Sequence, residues 1–446
     1  MKIAVWHNLN SGGGKRALYD HVRGLIERGH TVEAWCPSTA DQTYLPLSTL
    51  CNEHILPLSL PRPLPWLRRG RSFIAWQETS QKISAMDDHC RECASQINAG
   101  GFDILFANSC VFLRVTSIAK HVQLPSVLYL QEPFRLLYEA LPHSPWALPT
   151  VNRDLHAIGR WLRFAANLIR VHSMRRQVAE EIRSAAAFDT ILANSLYSRE
   201  SILRAYGLES KVCYLGIDLN RFAPAGEALE PFVLGVGALG YHKGVDRAIR
   251  ALGAIDQHKR PELIWVSNFP NPEYEREMQT FSAGYDVRLT VKVRVTDTEL
   301  VSLLSRAAML LYVPRLEPFG LAPLEANACG TPVVAIAEGG IRESIQSEQN
   351  GLLVSGDDPT GLARAIERLI EDRDFAEGLR GRALRFVRAN WSIEGAIDRL
   401  EAALFSLSKD EASLQWHTTR HRTTSDEYAR ARVPHRATVD YGPTAP

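Results

Sequence analysis

Short apolar runs of strand length alternate with stretches long enough for a helix, and no other feature of the chain narrows its fold as far. In the first half, KIAVW, TVEAWC, FDILFAN (102–108), PSVLYLQ (125–131) and a last run opening at Thr190 stand in that order. In the second half, FVLGVGA, ELIWVSN, VRLTVKV, MLLYV and TPVVAIA repeat the pattern, spaced by helix-length segments such as 245–255 and 297–308. Runs without polar alternation are buried on both faces, and a helix between consecutive strands makes their pairing parallel. The expected fold class is α/β, with two doubly wound halves meeting near residues 205–225. The expected domains are 1–205 and 206–390, then a closing helix over 391–407. The tail 408–446 is polar, basic and Pro-containing, a composition that predicts disorder.

Composition removes several function classes. Apolar residues make up 45% of the 446, enough for two sizeable cores. A net charge of +1 argues against a dedicated nucleic-acid binder, so no nucleic-acid partner is expected. Seven cysteines without framework spacing fit a reducing compartment, and Cys90-x-x-Cys93 lacks the second pair of a zinc site. The start MKIAVWHNLN is too short in apolar length for a signal peptide, and no run approaches the ~18 residues of a membrane span. A cytoplasmic location is expected.

The stretch LYVPRLEPFGLAPLEANACGTPVVAIAEGGIRES (311–344) carries the most chemistry. It reads as strand, loop, helix, strand, with Glu317 in the loop and Glu325 eight positions on, inside the helix. Leu321, Leu324 and Ala328 repeat at i, i+3, i+7, while Gly330 and Pro332 end the helix after about two turns. The N–H groups of Phe319, Gly320 and Leu321 stand at its N-terminus, where free donors and the helix dipole favour an anion. Carboxylates beside such a site suit sugar hydroxyls, so the cluster fits a ligand bearing both sugar and phosphate. Taken singly, Glu317 could be a loop charge and Glu325 an exposed helix residue.

The whole segment resembles the Glu-x7-Glu region of retaining GT-B glycosyltransferases of family 4 (glycosyl transferases group 1), including the following Gly-Gly and Glu343. The resemblance runs from residue 1 to about 407 and is densest over 231–355. It implies two Rossmann-like domains facing a central cleft, with a C-terminal helix crossing back to the first. It implies transfer of a hexosyl group from a nucleotide diphosphate sugar to a sugar, lipid-linked or small-molecule acceptor, with retention and without metal or cofactor. Catalysis would rest on Glu317 and Lys243. The donor would meet Gly13, Gly14, Lys243, Phe319, Gly320 and Leu321, with Glu325 on the ribose hydroxyls.

Three other stretches match in order. Gly12-Gly13-Gly14 follows the first strand, where glycine lets backbone approach a diphosphate. An ordinary turn or a dinucleotide fingerprint would share these residues, but five positions separate strand and glycine, and Arg16 after Lys15 rules out a P-loop. In VGALGYHKGVD the family's arginine position is Ala238, so one phosphate cation is missing or comes from elsewhere, with Arg315 and Arg16 as candidates. Gly216, Asp218 and Phe222 hold the places of the inter-domain passage, where the family's role for them is mainly architectural.

On the acceptor side the family's histidines are replaced by Asn108 and Gln131, which bond hydroxyls but take no proton; His7 is the remaining candidate. An impaired nucleotide-sugar-binding module is therefore the alternative to an enzyme. Asp372-Arg373-Asp374 is read as surface charge rather than a metal site. Two basic stretches, 61–72 and 153–176, interleave arginines with apolar residues. Each fits either an outer face packed on the first domain or peripheral contact with an anionic membrane.

Overall fold

A computed structural model of the chain describes residues 1–60, 71–138 and 157–408, apart from side chains at 71–78, 136, 408 and most positions of 157–170. The expected tail beyond 408, nearly all of the 61–72 stretch and the start of 153–176 lie outside these residues.

The first sheet holds β1 (Lys2–Asn8), β2 (Thr31–Pro37), β3 (Asn52–Leu56), β4 (Ile104–Cys110), β5 (Ser126–Tyr129), β6 (Thr190–Ala193) and β7 (Lys211–Val212), in the order β3-β2-β1-β4-β5-β6-β7. The second holds β8 (Glu230–Val236), β9 (Glu262–Ser267), β10 (Leu289–Val293), β11 (Ala307–Tyr312), β12 (Val333–Ile336) and β13 (Gly351–Val354), in the order β10-β9-β8-β11-β12-β13. Every pairing is parallel. All ten expected strands form. β7 pairs with β6, so Lys211–Val212 belong to the first sheet and lie within the 205–225 stretch where the halves are expected to meet.

The period-2 geometry of a strand explains why the runs are apolar throughout. Ile3 and Val5 of β1 enter one core, while Ala4 and Trp6 enter another on the opposite face. In β8, Phe232 and Leu234 likewise separate from Val233. The core that takes Ile3, Val5 and Leu234 is continuous between the domains.

The chain crosses between domains twice, side by side. Ile217 N–H donates to the Trp391 carbonyl at 2.8 Å, and Ile393 N–H donates to the Ile217 carbonyl at 3.0 Å. The closing helix, Ile393–Ser408, then lies on the helix Gly13–Glu27 of the first domain. Gly24 makes that approach close, since a Cβ there would stand 2.5 Å from Ile397 Cγ1. Glu401 fixes the register by accepting from Arg28 at 2.8 Å and pairing with His30 at 2.7 Å.

Candidate active site

Loops leaving a doubly wound sheet diverge where the strand order reverses, and the crevice opens there. In the first sheet that place is β1, between β2 and β4; in the second it is β8, between β9 and β11. The first leads into Gly12–Gly14 and the second into 237–244, so both singled-out loops fall at switch points. Between them lies a cavity of about 790 Å³, lined by Gly13, Gly14 and Gln131 from one domain and Lys243, Glu317 and 319–321 from the other. A Cβ at Gly14 would stand 2.9 Å from Gln131 Oε1, so the glycine keeps this wall thin.

Lys243 Nζ donates to both carboxylate oxygens of Glu317 at 2.9 Å each. Burial alone would raise the Glu317 carboxyl; Lys243, Arg135 and the Tyr312 hydroxyl outweigh it and hold it below the ordinary range. The loop carrying Glu317 is pinned by the second glycine pair. Gly340 N–H donates to the Glu317 carbonyl at 2.8 Å, and a Cβ at Gly340 would fall 2.0 Å from the Pro318 carbonyl oxygen. Gly320 has φ +85°, and the helix Leu321–Ala328 that follows has no side-chain cap, which leaves its first N–H groups for a ligand.

Glu325 does not line the main cavity. It faces a small void beside Arg16, whose Nε lies 3.7 Å from Glu325 and whose Nη2 donates to Asp297 at 2.7 Å. Burial raises its carboxyl, with Arg16 opposing. His7 is also off the cavity. It is fully buried, with Nε2 3.2 Å from Glu53 Oε1 and its pKa lowered by burial to about 4. One of its ring nitrogens, Cys36 Sγ and a Glu53 oxygen lie within 4.8 Å of one another, a spacing a metal would accept. The buried Lys15 amine beside them opposes a second cation. Asn108 is buried in β4 and likewise outside the lining. Of the three acceptor-side candidates, Gln131 alone reaches the cavity. Asp372 accepts from Phe375 N–H at 2.9 Å and caps a helix, as surface charge at a helix junction can.

Several lining residues were not singled out in the sequence: Arg114, Glu132, Arg135 and Arg247. Glu132 and Arg135 stand one and four positions after Gln131, just past the end of β5, and the strand-end position was the available signal. Burial raises the Glu132 carboxyl while Arg114, 3.4 Å away, opposes it. Glu343 has a role across the cleft. Its carboxylate accepts from Leu196 N–H at 2.8 Å, Tyr197 N–H at 2.9 Å and the Tyr214 hydroxyl at 2.8 Å, capping the first-domain helix Leu196–Tyr206. Ser195 Oγ donates to the Pro318 carbonyl at 2.6 Å beside it.

The family model for glycosyl transferases group 1 matches residues 217–385, and that for glycosyltransferase family 4 matches residues 11–221. The chain belongs to the family 4, group 1 glycosyltransferases. It is 33% identical over 250 residues to D-inositol 3-phosphate glycosyltransferase 1 of Catenulispora acidiphila, covering 51% of this chain and 59% of that protein. It spans about three fifths of the length of the first curated relatives it matches. A glycogen synthase of Mycobacterium tuberculosis is 26% identical over 386 residues, 84% of this chain and 86% of its own. Among solved structures, HepE of Anabaena in complex with UDP-glucose superposes with a TM-score of 0.65 at 21% identity, covering 91% of this chain and all of that one. The architecture is GT-B: two Rossmann-like domains facing a cleft. Among the described residues no helix is long and apolar enough to cross a membrane.

Proposed function

We propose that this protein transfers a hexosyl group from a nucleoside diphosphate sugar to a sugar, lipid-linked or small-molecule acceptor, with retention of anomeric configuration and without a metal. One observation carries the reading: the Lys243–Glu317 pair lies in a cavity formed where both sheets reverse, beside the uncapped amides of 319–321. Departure of a nucleoside diphosphate builds negative charge on phosphate, and fixed donors that meet it are the usual largest catalytic term. Lys243 and those amides supply such donors. Glu317, held ionised, accepts hydroxyl protons of the transferred sugar as hydrogen bonds and fixes its orientation. The leaving phosphate helps take the acceptor proton as the new bond forms on the face it vacates. Glu325 accepts from the ribose hydroxyls, which requires the Arg16 guanidinium to yield part of its place.

HepE, crystallised with UDP-glucose, and the D-inositol 3-phosphate glycosyltransferases support a nucleotide-sugar donor. A cytoplasmic location follows from the same reading. Contact with the inner membrane face is supported by Trp161, Phe164 and Leu168, outward at i, i+3, i+7 on the helix Ala157–Ala185, with Trp161 71% exposed.

Calorimetric titration with UDP-glucose and GDP-mannose, repeated on Glu325→Ala and Lys243→Ala, tests the proposal. Micromolar binding of one donor, weakened in both variants and accompanied by slow donor hydrolysis, is expected. Absence of nucleotide-sugar binding by the folded protein would overturn it. The binding-module alternative is favoured by the replacement of acceptor-side histidines with Asn108 and Gln131, and it predicts tight donor binding with no turnover.

A further inference from the structure

The arginine that the family places beside the donor diphosphate is Ala238 here, and neither sequence candidate replaces it cleanly. Arg16 is held by Asp297 at 2.7 Å and lines the small void rather than the main cavity. Arg315 reaches the cavity, but its Nε donates to Glu338 at 2.5 Å. Arg247 stands one helical turn beyond Lys243, on the helix Val245–Gly253, and also lines the cavity. Its Nε donates to the Val313 carbonyl at 2.8 Å, which fixes the guanidinium at the end of β11. Its Nη2 is buried and has no hydrogen-bond partner. Among the described residues no carboxylate lies within the 4.0 Å of an ion pair with it, whereas Lys243, Arg315 and Arg114 each face one. Gly244 makes room for it: a Cβ there would stand 2.6 Å from Arg247 Nη2.

A half-buried guanidinium whose Nη2 has no partner, one turn from Lys243, is a site for an anion. We propose that Arg247 supplies the second cation for the nucleoside diphosphate, in place of the residue missing at Ala238. This rests on the nucleotide-sugar reading above and names the residue that reads the second phosphate. Lys243 balances Glu317, so Arg247 brings the charge that the pair lacks. Its guanidinium spans two phosphate oxygens where an ammonium presents a point charge.

The test compares nucleoside diphosphates with monophosphates (UDP and UMP, GDP and GMP, ADP and AMP) on wild type, Arg247→Met, Ala238→Arg and the double variant. Arg247→Met is expected to weaken diphosphate binding on the order of tenfold to a hundredfold, with monophosphate binding little changed. Ala238→Arg is expected to restore diphosphate affinity in the Arg247→Met background. A merely structural role would lower the thermal midpoint and both nucleotide classes together, and an arginine at 238 would not reverse that. Unchanged diphosphate affinity in Arg247→Met, equal loss of both classes, or failure of the Ala238→Arg rescue would overturn the inference while leaving the donor reading intact. A wild-type protein that binds no diphosphate would overturn both.

Discussion

Glu317 Oε1 and Oε2 both lie 2.9 Å from Lys243 Nζ, a contact between residues 74 positions apart that joins the loop after β11 to the loop after β8. Neither residue has an independent role. Removing the lysine leaves a buried carboxylate alone, and removing the carboxylate frees an ammonium to move. We expect Lys243→Ala and Glu317→Gln each to lower kcat/KM of glycosyl transfer by about 10²–10³. Because Glu317 is held below its ordinary 4.5, it stays ionised at that pH, and any acid limb it sets in the rate profile falls lower still. A limb at or above 4.5 that vanishes in Glu317→Gln would contradict this.

The Arg16 guanidinium ties the first domain to Asp297 and Glu325 of the second. Its side chain is 9% exposed and that of Glu325 7%, so Arg16→Met leaves an unpaired buried carboxylate. Denaturant unfolding of this variant should show a loss of about 3 kcal/mol or more. Asp297→Asn should cost less, since Asp297 is 35% exposed and solvent already screens it.

Gly340 should tolerate no side chain. With its Cβ position 2.0 Å from the Pro318 carbonyl oxygen, Gly340→Ala must shift the loop that bears Glu317. Stability should fall by about 1–3 kcal/mol, and turnover should drop further than stability explains. Gly284→Ala is the control: like Gly340 it lies outside the left-handed region, but nothing lies within 4 Å of its Cβ.

Acid should destabilise the protein through its buried histidines. His7, His21 and His89 each have their pKa lowered to about 4, with burial the largest cause in each. The unfolded chain takes these protons from about 6.5 downward, while the folded chain resists until about 4. Stability is therefore full above 6.5, declines across that window and levels below it. His21 packs on Tyr129 with ring centroids 5.1 Å apart, and neither ring nitrogen has a partner. His21→Leu should flatten the decline, as thermal midpoints between pH 7 and 4 would reveal.

The outward face of Ala157–Ala185 makes a separate prediction. The Trp161 and Phe164 rings meet edge-on at 5.9 Å, and both are exposed. Trp161→Ser with Phe164→Ser should reduce co-sedimentation with anionic vesicles several-fold and leave turnover of a soluble acceptor unchanged. Equal sedimentation of wild type and variant would rule out this face as the contact.

Strands buried on both faces are legible because nothing polar interrupts them, which is why Ile3–Trp6 and Val333–Ile336 were found. β3 escaped notice because its NEHIL is a partly exposed edge strand, and β7 because two residues carry no periodicity. The Glu317 loop was legible because its glycines and proline are required by backbone geometry. Glu325 and His7 were placed by their order along the chain, which says nothing of which side of a strand or helix the cleft lies on. Arg247 was invisible for a different reason. The third residue of a helix reads as solvated charge until the fold brings the Val313 carbonyl up to its Nε. Glu343 was recognised as part of a pattern, but its partners lie in the other domain and only the docked domains display them.

The stitched double crossing at Ile217 and Trp391–Ile393 has a mechanical consequence. A single linker would let one domain swivel in any direction about a point. Two adjacent passages joined by backbone hydrogen bonds act as a door's paired pins, leaving one easy rotation and resisting twist. Any rotation of one domain on the other is thereby guided along one axis, so Lys243 and Gln131, on opposite walls of the cavity, keep their lateral alignment whatever its width.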